Sequence, residues 1–135
     1  MRKLTATFAA GVLTVVLTAC SAASGPGGNA ESSEAAVHTI TAEEAKSMME
    51  EGDVTVVDVR TAEEYAQGHV PDAINIPNED IGEESPEALP QKDAILLIYC
   101  RSGRRSAQAA KKLAALGYEN IYDFGGIIDW PYETE

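Results

Sequence analysis

Hydrophobic positions along this chain fall into short blocks whose period switches between two and about 3.6, and each switch marks an element boundary. Val54 to Val59 is a β-branched run of strand length, and Ala94 to Tyr99 is a near-continuous apolar run. Thr41-Ala42-Glu43-Glu44 has capping-box spacing and opens a helix with Ala45, Met48 and Met49 on one side, ending before Gly52. Thr61-Ala62-Glu63-Glu64 repeats that spacing and predicts a short helix stopped by Gly68.

Pro71-Asp72 predicts a turn into a strand over Ala73 to Ile76. Residues 78–92 are acidic and irregular, with Ser85-Pro86-Glu87 suited to a helical turn through Leu89. A helical pattern from Arg105 to Leu116 places Ala107, Ala110, Leu113, Ala114 and Leu116 on its buried face, with Gly117 as the stop. Asn120 to Phe124 is the last strand, and a turn follows around Trp130-Pro131. Strands alternating with helices argue for an α/β domain whose parallel sheet is covered on both faces. Ligands of such sheets gather at the carboxyl ends of the strands.

The N-terminus changes the picture. Arg2 and Lys3 precede an apolar run from Leu4 to Ala19, short of the roughly 20 residues that a membrane span needs. Leu17-Thr18-Ala19-Cys20 resembles the lipobox of bacterial lipoproteins, which implies a signal peptide over residues 1–19, a lipidated Cys20 and an extracytoplasmic, membrane-anchored protein. Residues 21–36 carry no large apolar side chain, so 20–36 reads as lipidated cysteine and flexible linker, and 37–135 as the folded domain. With Cys20 acylated, Cys100 is the sole thiol left in that domain, so it has no disulfide partner within the domain and no internal resolving cysteine.

Formal charge is -12, and removing residues 1–19 takes away two cations and no acid, giving -14. Nucleic acid and anionic membrane surfaces are therefore poor partners for the general surface. Five of the eight Lys and Arg residues beyond residue 19 nevertheless lie between Arg101 and Lys112. A cationic patch on an acidic protein points to an anionic substrate.

That patch surrounds Cys100, at the junction between the apolar run and the following helix. Backbone N–H groups of Ser102 to Ser106 at such a turn lack intrahelical partners and face the sulfur, and the helix dipole adds positive charge. With Arg101, Arg104 and Arg105 alongside, Cys100 is expected to ionise below its free value and to act as a nucleophile.

Cys100-Arg101-Ser102-Gly103-Arg104-Arg105-Ser106 resembles the active-site loop of the rhodanese family of sulfurtransferases. Asp58-Val59-Arg60, the segment Gly68-His69-Val70-Pro71-Asp72-Ala73-Ile74-Asn75-Ile76-Pro77, and Gly125-Gly126-Ile127-Ile128-Asp129-Trp130 follow the same family in order, so the resemblance covers about residues 38 to 132. Asp72 departs from it, standing where the family usually has Gly. The resemblance implies one rhodanese-like domain with a central, mostly parallel five-stranded sheet. It implies catalysis by Cys100, substrate binding by Arg101, Ser102, Gly103, Arg104, Arg105 and Ser106, and support from Asp58 and Arg60 behind the loop. The donor is then a small anion, thiosulfate or a persulfide, and the acceptor an external thiol or cyanide.

Competing functions are weaker. Cysteine phosphatases and arsenate reductases share cysteine-arginine loops, but phosphatases place five residues between Cys and Arg. Here Arg105 follows Cys100 after four, and position 106 is Ser. A tethered binding or redox-sensing module is the alternative from another class. Two histidines, His38 and His69, with one free thiol and no ligand spacing do not make a metal site, and the expected chemistry uses no cofactor. Arg60 and Glu64, four apart, are expected to form an ion pair. Trp130 is expected to anchor the core.

Overall fold

In a computed structural model the protein is described over residues 35–135. The expected signal over residues 1–19, Cys20 and the linker up to residue 34 lie outside the described residues. Among the described residues, five strands and three full α-helices follow in the order β1 (Val37–Thr39), α1 (Ala42–Glu51), β2 (Val54–Asp58), α2 (Ala62–Ala66), β3 (Ile74–Asn75), β4 (Ile95–Cys100), α3 (Arg104–Ala115) and β5 (Asn120–Gly126). Short 3-10 turns cover Asn78–Asp80 and Ile127–Asp129. The strands form one sheet in the order β1-β5-β4-β2-β3, and all four pairings are parallel.

Both capping boxes form. Thr41 and Glu44 exchange hydrogen bonds of 2.8 and 3.1 Å at the start of α1, and Thr61 and Glu64 exchange bonds of 3.0 and 3.3 Å at the start of α2. The orphan N–H groups of each first turn are thereby satisfied from within four residues.

Alternation along β4 divides the core. Leu96, Ile98 and Cys100 face α3, where they meet Val57, Ala109, Ala110, Leu113 and Ile121. Leu97 and Tyr99 face the opposite side, with Ala45 of α1, Val56, Val70, Phe124 and Trp130. Full burial of a Leu, Ile or Val is worth about 1.5–3 kcal/mol, so the central strand is a main source of stability as well as the support for the site. Trp130 is the expected core anchor, packed on Phe124 with its Nε1–H donating to the Glu133 carbonyl at 3.1 Å.

Three details differ from the sequence pattern. The buried stripe of α3 is Ser106, Ala109, Ala110, Leu113 and Ala114, while Ala107 is exposed. Ala110, Leu113 and Ala114 are buried as expected and Leu116 is half-buried, but the stripe starts at Ser106, which looks polar and is buried beside Cys100. Ala36, assigned to the linker, is packed into the core, and its carbonyl accepts from Ile121 N–H at 3.0 Å. Asp72 adopts φ 65°, in the left-handed region that favours glycine, which gives a physical reason for the residue usual at that turn.

Candidate active site

The carboxyl end of β4 releases the chain at Cys100 and α3 begins four residues later, so Arg101 to Gly103 must turn sharply. Gly103 makes that turn at φ 99°, and its N–H donates to Cys100 Sγ at 3.0 Å. Gly126 of β5, paired with Cys100, supports the loop from behind. A Cβ there would collide with the Arg101 carbonyl and lie 2.7 Å from Ser102 Cα, so only glycine admits the loop at this distance.

Cys100 is 1% exposed and lies at the floor of this loop. The neutral thiol donates to Ser106 Oγ at 3.7 Å while the Ser106 hydroxyl donates to the Gly103 carbonyl at 3.0 Å, and on ionisation that hydroxyl turns to donate to the thiolate. Burial pushes the thiol pKa up, yet the Ser106 N–H and hydroxyl and the N–H groups of Gly103 and Ser102 outweigh it. The thiol is left below its ordinary value. The groups that lower it most are therefore loop amides and Ser106, rather than the arginines that sequence reasoning placed beside them.

The arginines explain the difference. Arg101 and Arg104 are exposed to solvent. Arg105 is bound to Glu64 of α2 by two hydrogen bonds, Nη1 to Oε2 at 2.7 Å and Nη2 to Oε1 at 2.9 Å. Glu64 holds the Arg105 proton, and the charge of Cys100 adds to the effect, so Arg105 stands near the sulfur as a partnered cation. The expected Arg60–Glu64 pair does not form, because Glu64 is drawn to the active-site loop.

Arg60 pairs instead with Asp58, Nη2 to Oδ2 at 2.6 Å, both side chains being buried. Tyr99 donates its hydroxyl to the same oxygen at 2.8 Å and accepts from Val70 N–H at 3.0 Å. Burial raises the Tyr99 pKa, with the Asp58 charge adding to it, so the phenol stays protonated as a donor. Asp58 thus holds the residue immediately before Cys100 and makes no hydrogen bond to residues 101–106. Tyr99 and Gly126 carry structural roles that the sequence motifs alone did not expose. Arg60 also donates to the Gly68 carbonyl at 2.7 Å, tying in the turn before β3.

His38 stacks on Tyr122, and His69 stacks on Tyr65 with its N–H and carbonyl bonded to Glu135. Neither histidine is bonded to Cys100.

Comparison with known families decides the relationship. The Rhodanese-like domain family matches residues 41–131, more than half of the chain. This chain belongs to the rhodanese-like domain family. It is 41% identical over 73 residues to the thiosulfate sulfurtransferase PspE of Escherichia coli strain K12, covering 54% of this chain and 70% of that one. It is 47% identical over 79 residues to a sulfurtransferase of Allochromatium vinosum, covering 58% and 72%. Among solved structures, a rhodanese with anions from E. coli matches with a TM-score of 0.55 and 37% identity, covering 60% of this chain and 95% of that one.

Proposed function

We propose that this rhodanese-type transferase moves sulfane sulfur from a small anionic donor to an external acceptor through a persulfide on Cys100. The observation that carries this reading is Cys100 at the floor of a loop whose Gly103 N–H reaches its sulfur at 3.0 Å. The relatives named as sulfurtransferases support the same chemistry.

In the first step the Cys100 thiolate attacks the outer sulfur of thiosulfate. The S–S bond of the donor breaks, sulfite leaves with the electron pair, and Cys100 is left as a persulfide. In the second step cyanide or a thiolate attacks the outer sulfur of that persulfide. The product leaves as thiocyanate or a new persulfide, and the Cys100 thiolate is regenerated. Amides of Ser102, Gly103 and Ser106 stabilise negative charge on sulfur throughout, because they are already oriented toward it. Arg101 and Arg104, exposed at the rim, attract the anionic donor. Arg105 orders the loop, and Asp58 with Arg60 fixes Tyr99 behind the nucleophile.

The reaction is proposed to take place outside the cytoplasm, with the domain held to the membrane through a lipid on Cys20. The Leu17-Thr18-Ala19-Cys20 tetrad after an apolar run supports that location.

Thiocyanate formation from thiosulfate and cyanide by residues 35–135 tests the activity. The parent is expected to turn over and Cys100→Ser to be inactive, since an alcohol does not ionise in this loop at neutral pH. Phosphate-ester hydrolysis without thiocyanate formation would overturn the assignment.

A further inference from the structure

We propose that Glu64 determines donor selectivity, its bidentate pair with Arg105 turning the site away from dianionic thiosulfate and toward persulfide donors of lower charge. This rests on Cys100 as the sulfur carrier and concerns what that carrier accepts.

The two donors differ by one charge at the reacting end. Thiolate plus thiosulfate brings three negative charges together, which persist as the Cys100 persulfide and departing sulfite. Thiolate plus an ionised persulfide brings two, which persist as the Cys100 persulfide and a departing thiolate. In both, the Cys100 sulfur bonds to the outer sulfur and the donor's S–S bond breaks with its electron pair on the leaving group.

Arg105, the cation on which the Cys100 charge acts, is already engaged. Both Nη atoms of Arg105 are bonded to Glu64, at 2.7 and 2.9 Å, and a planar guanidinium held edge-on to a carboxylate has that edge closed to a second oxyanion. Glu64 is itself fixed by Thr61 N–H and hydroxyl, each at 3.0 Å, so α2 holds the pair in place. Glu79, exposed on the 3-10 turn after β3, also acts on the Arg105 charge. Two carboxylates, Glu64 and Glu79, thus offset the positive charge of Arg105 beside Cys100. That balance suits the smaller negative load.

The test compares thiosulfate with the persulfide of 2-mercaptoethanol, which carries a single negative charge, each with cyanide as acceptor, by kcat/KM for thiocyanate formation. Glu64→Gln retains an oxygen for Thr61 N–H and removes the charge. The ratio of thiosulfate to persulfide efficiency is expected to rise about tenfold, as expected for one charge a few ångströms away at intermediate effective dielectric. The gain should appear chiefly as a lower thiosulfate KM and shrink as salt is added. Arg105→Gln should move the ratio the other way, leaving Glu64 unpartnered. Combining both substitutions should return it to within about threefold of the parent, since net charge is restored.

A Glu64→Gln ratio within about twofold of the parent, in a protein with parent-like circular dichroism, would overturn the proposal, as would a gain that survives in the double variant. If Glu64→Gln fails to fold, Arg105→Gln decides alone: an unchanged or increased ratio overturns it. A parent that forms thiocyanate from neither donor would instead overturn the sulfur-transfer reading itself.

Discussion

Arg105 and Glu64 lie 41 positions apart in sequence and meet through paired hydrogen bonds, joining the active-site loop to the first turn of α2. Two otherwise separate local signals, a capping box and a cationic loop, become one unit. The pair holds the Glu64 carboxyl down to about 2, from an ordinary 4.5, with the hydrogen bond from Arg105 as the main cause.

That depression has a defined signature in stability. A carboxyl whose folded pKa is lowered stabilises the fold above its unfolded value and loses the contribution as pH falls through its folded value. Glu64→Gln should therefore be less stable than the parent at neutral pH, by about 1 kcal/mol or less for a pair that is partly solvated. The gap should close between pH 4.5 and about 2. Urea denaturation across that range checks it, and a gap that stays constant with pH contradicts the account.

Ser106 is expected to set the ionisation of Cys100. Its N–H and hydroxyl both lower the thiol pKa, so Ser106→Ala, which removes the hydroxyl alone, should raise the midpoint of the thiolate titration and leave it below that of an unassisted buried thiol. The rate of sulfur loading depends on thiolate, so its pH profile should shift in the same direction. Thiolate absorbance read against pH in both proteins gives the result, and coincident curves would remove Ser106 from the account.

Asp58→Asn should cost about 3–5 kcal/mol, because it leaves the Arg60 guanidinium buried without its counter-charge. Tyr99 also loses a charged acceptor. Activity measured under conditions where the variant is still folded should fall less steeply than stability, since Asp58 reaches Cys100 only through Tyr99. Denaturation midpoints together with kcat separate the two effects.

At the other end of the chain, Cys20→Ala in the full-length protein should move it from the membrane to the soluble or secreted fraction with sulfur transfer intact. A lipid group with two or three acyl chains anchors stably where a single chain does not. An acidic domain gains nothing from anionic headgroups. Retention on the membrane after a high-salt wash would mean that residues 4–19 act as an uncleaved anchor.

Much of this architecture is legible in the sequence where the signal is local. The capping boxes at Thr41 and Thr61 and the apolar run ending at Cys100 act within a few residues, so both helix starts and the central strand are readable directly. What is not legible depends on partners far along the chain. Glu64 has Arg60 four residues away, yet it selects Arg105, because Arg60 has a buried and closer partner in Asp58. Ser106 is legible as a loop residue whose N–H faces the sulfur, but the burial of its side chain against Cys100 at the head of the α3 stripe is not. Gly126 belongs to a recognisable glycine pair, and only the approach of the Arg101 carbonyl explains why no side chain fits there.

The central claim is that Cys100 carries the transferred sulfur, and the intact mass of residues 35–135 after treatment with thiosulfate tests it most directly. The parent should gain the mass of one sulfur atom, the addition should map to Cys100, and cyanide should remove it with release of one equivalent of thiocyanate. Cys100→Ser should gain nothing. A parent that forms thiocyanate while its mass never changes, or an added sulfur that persists in Cys100→Ser, would contradict the account.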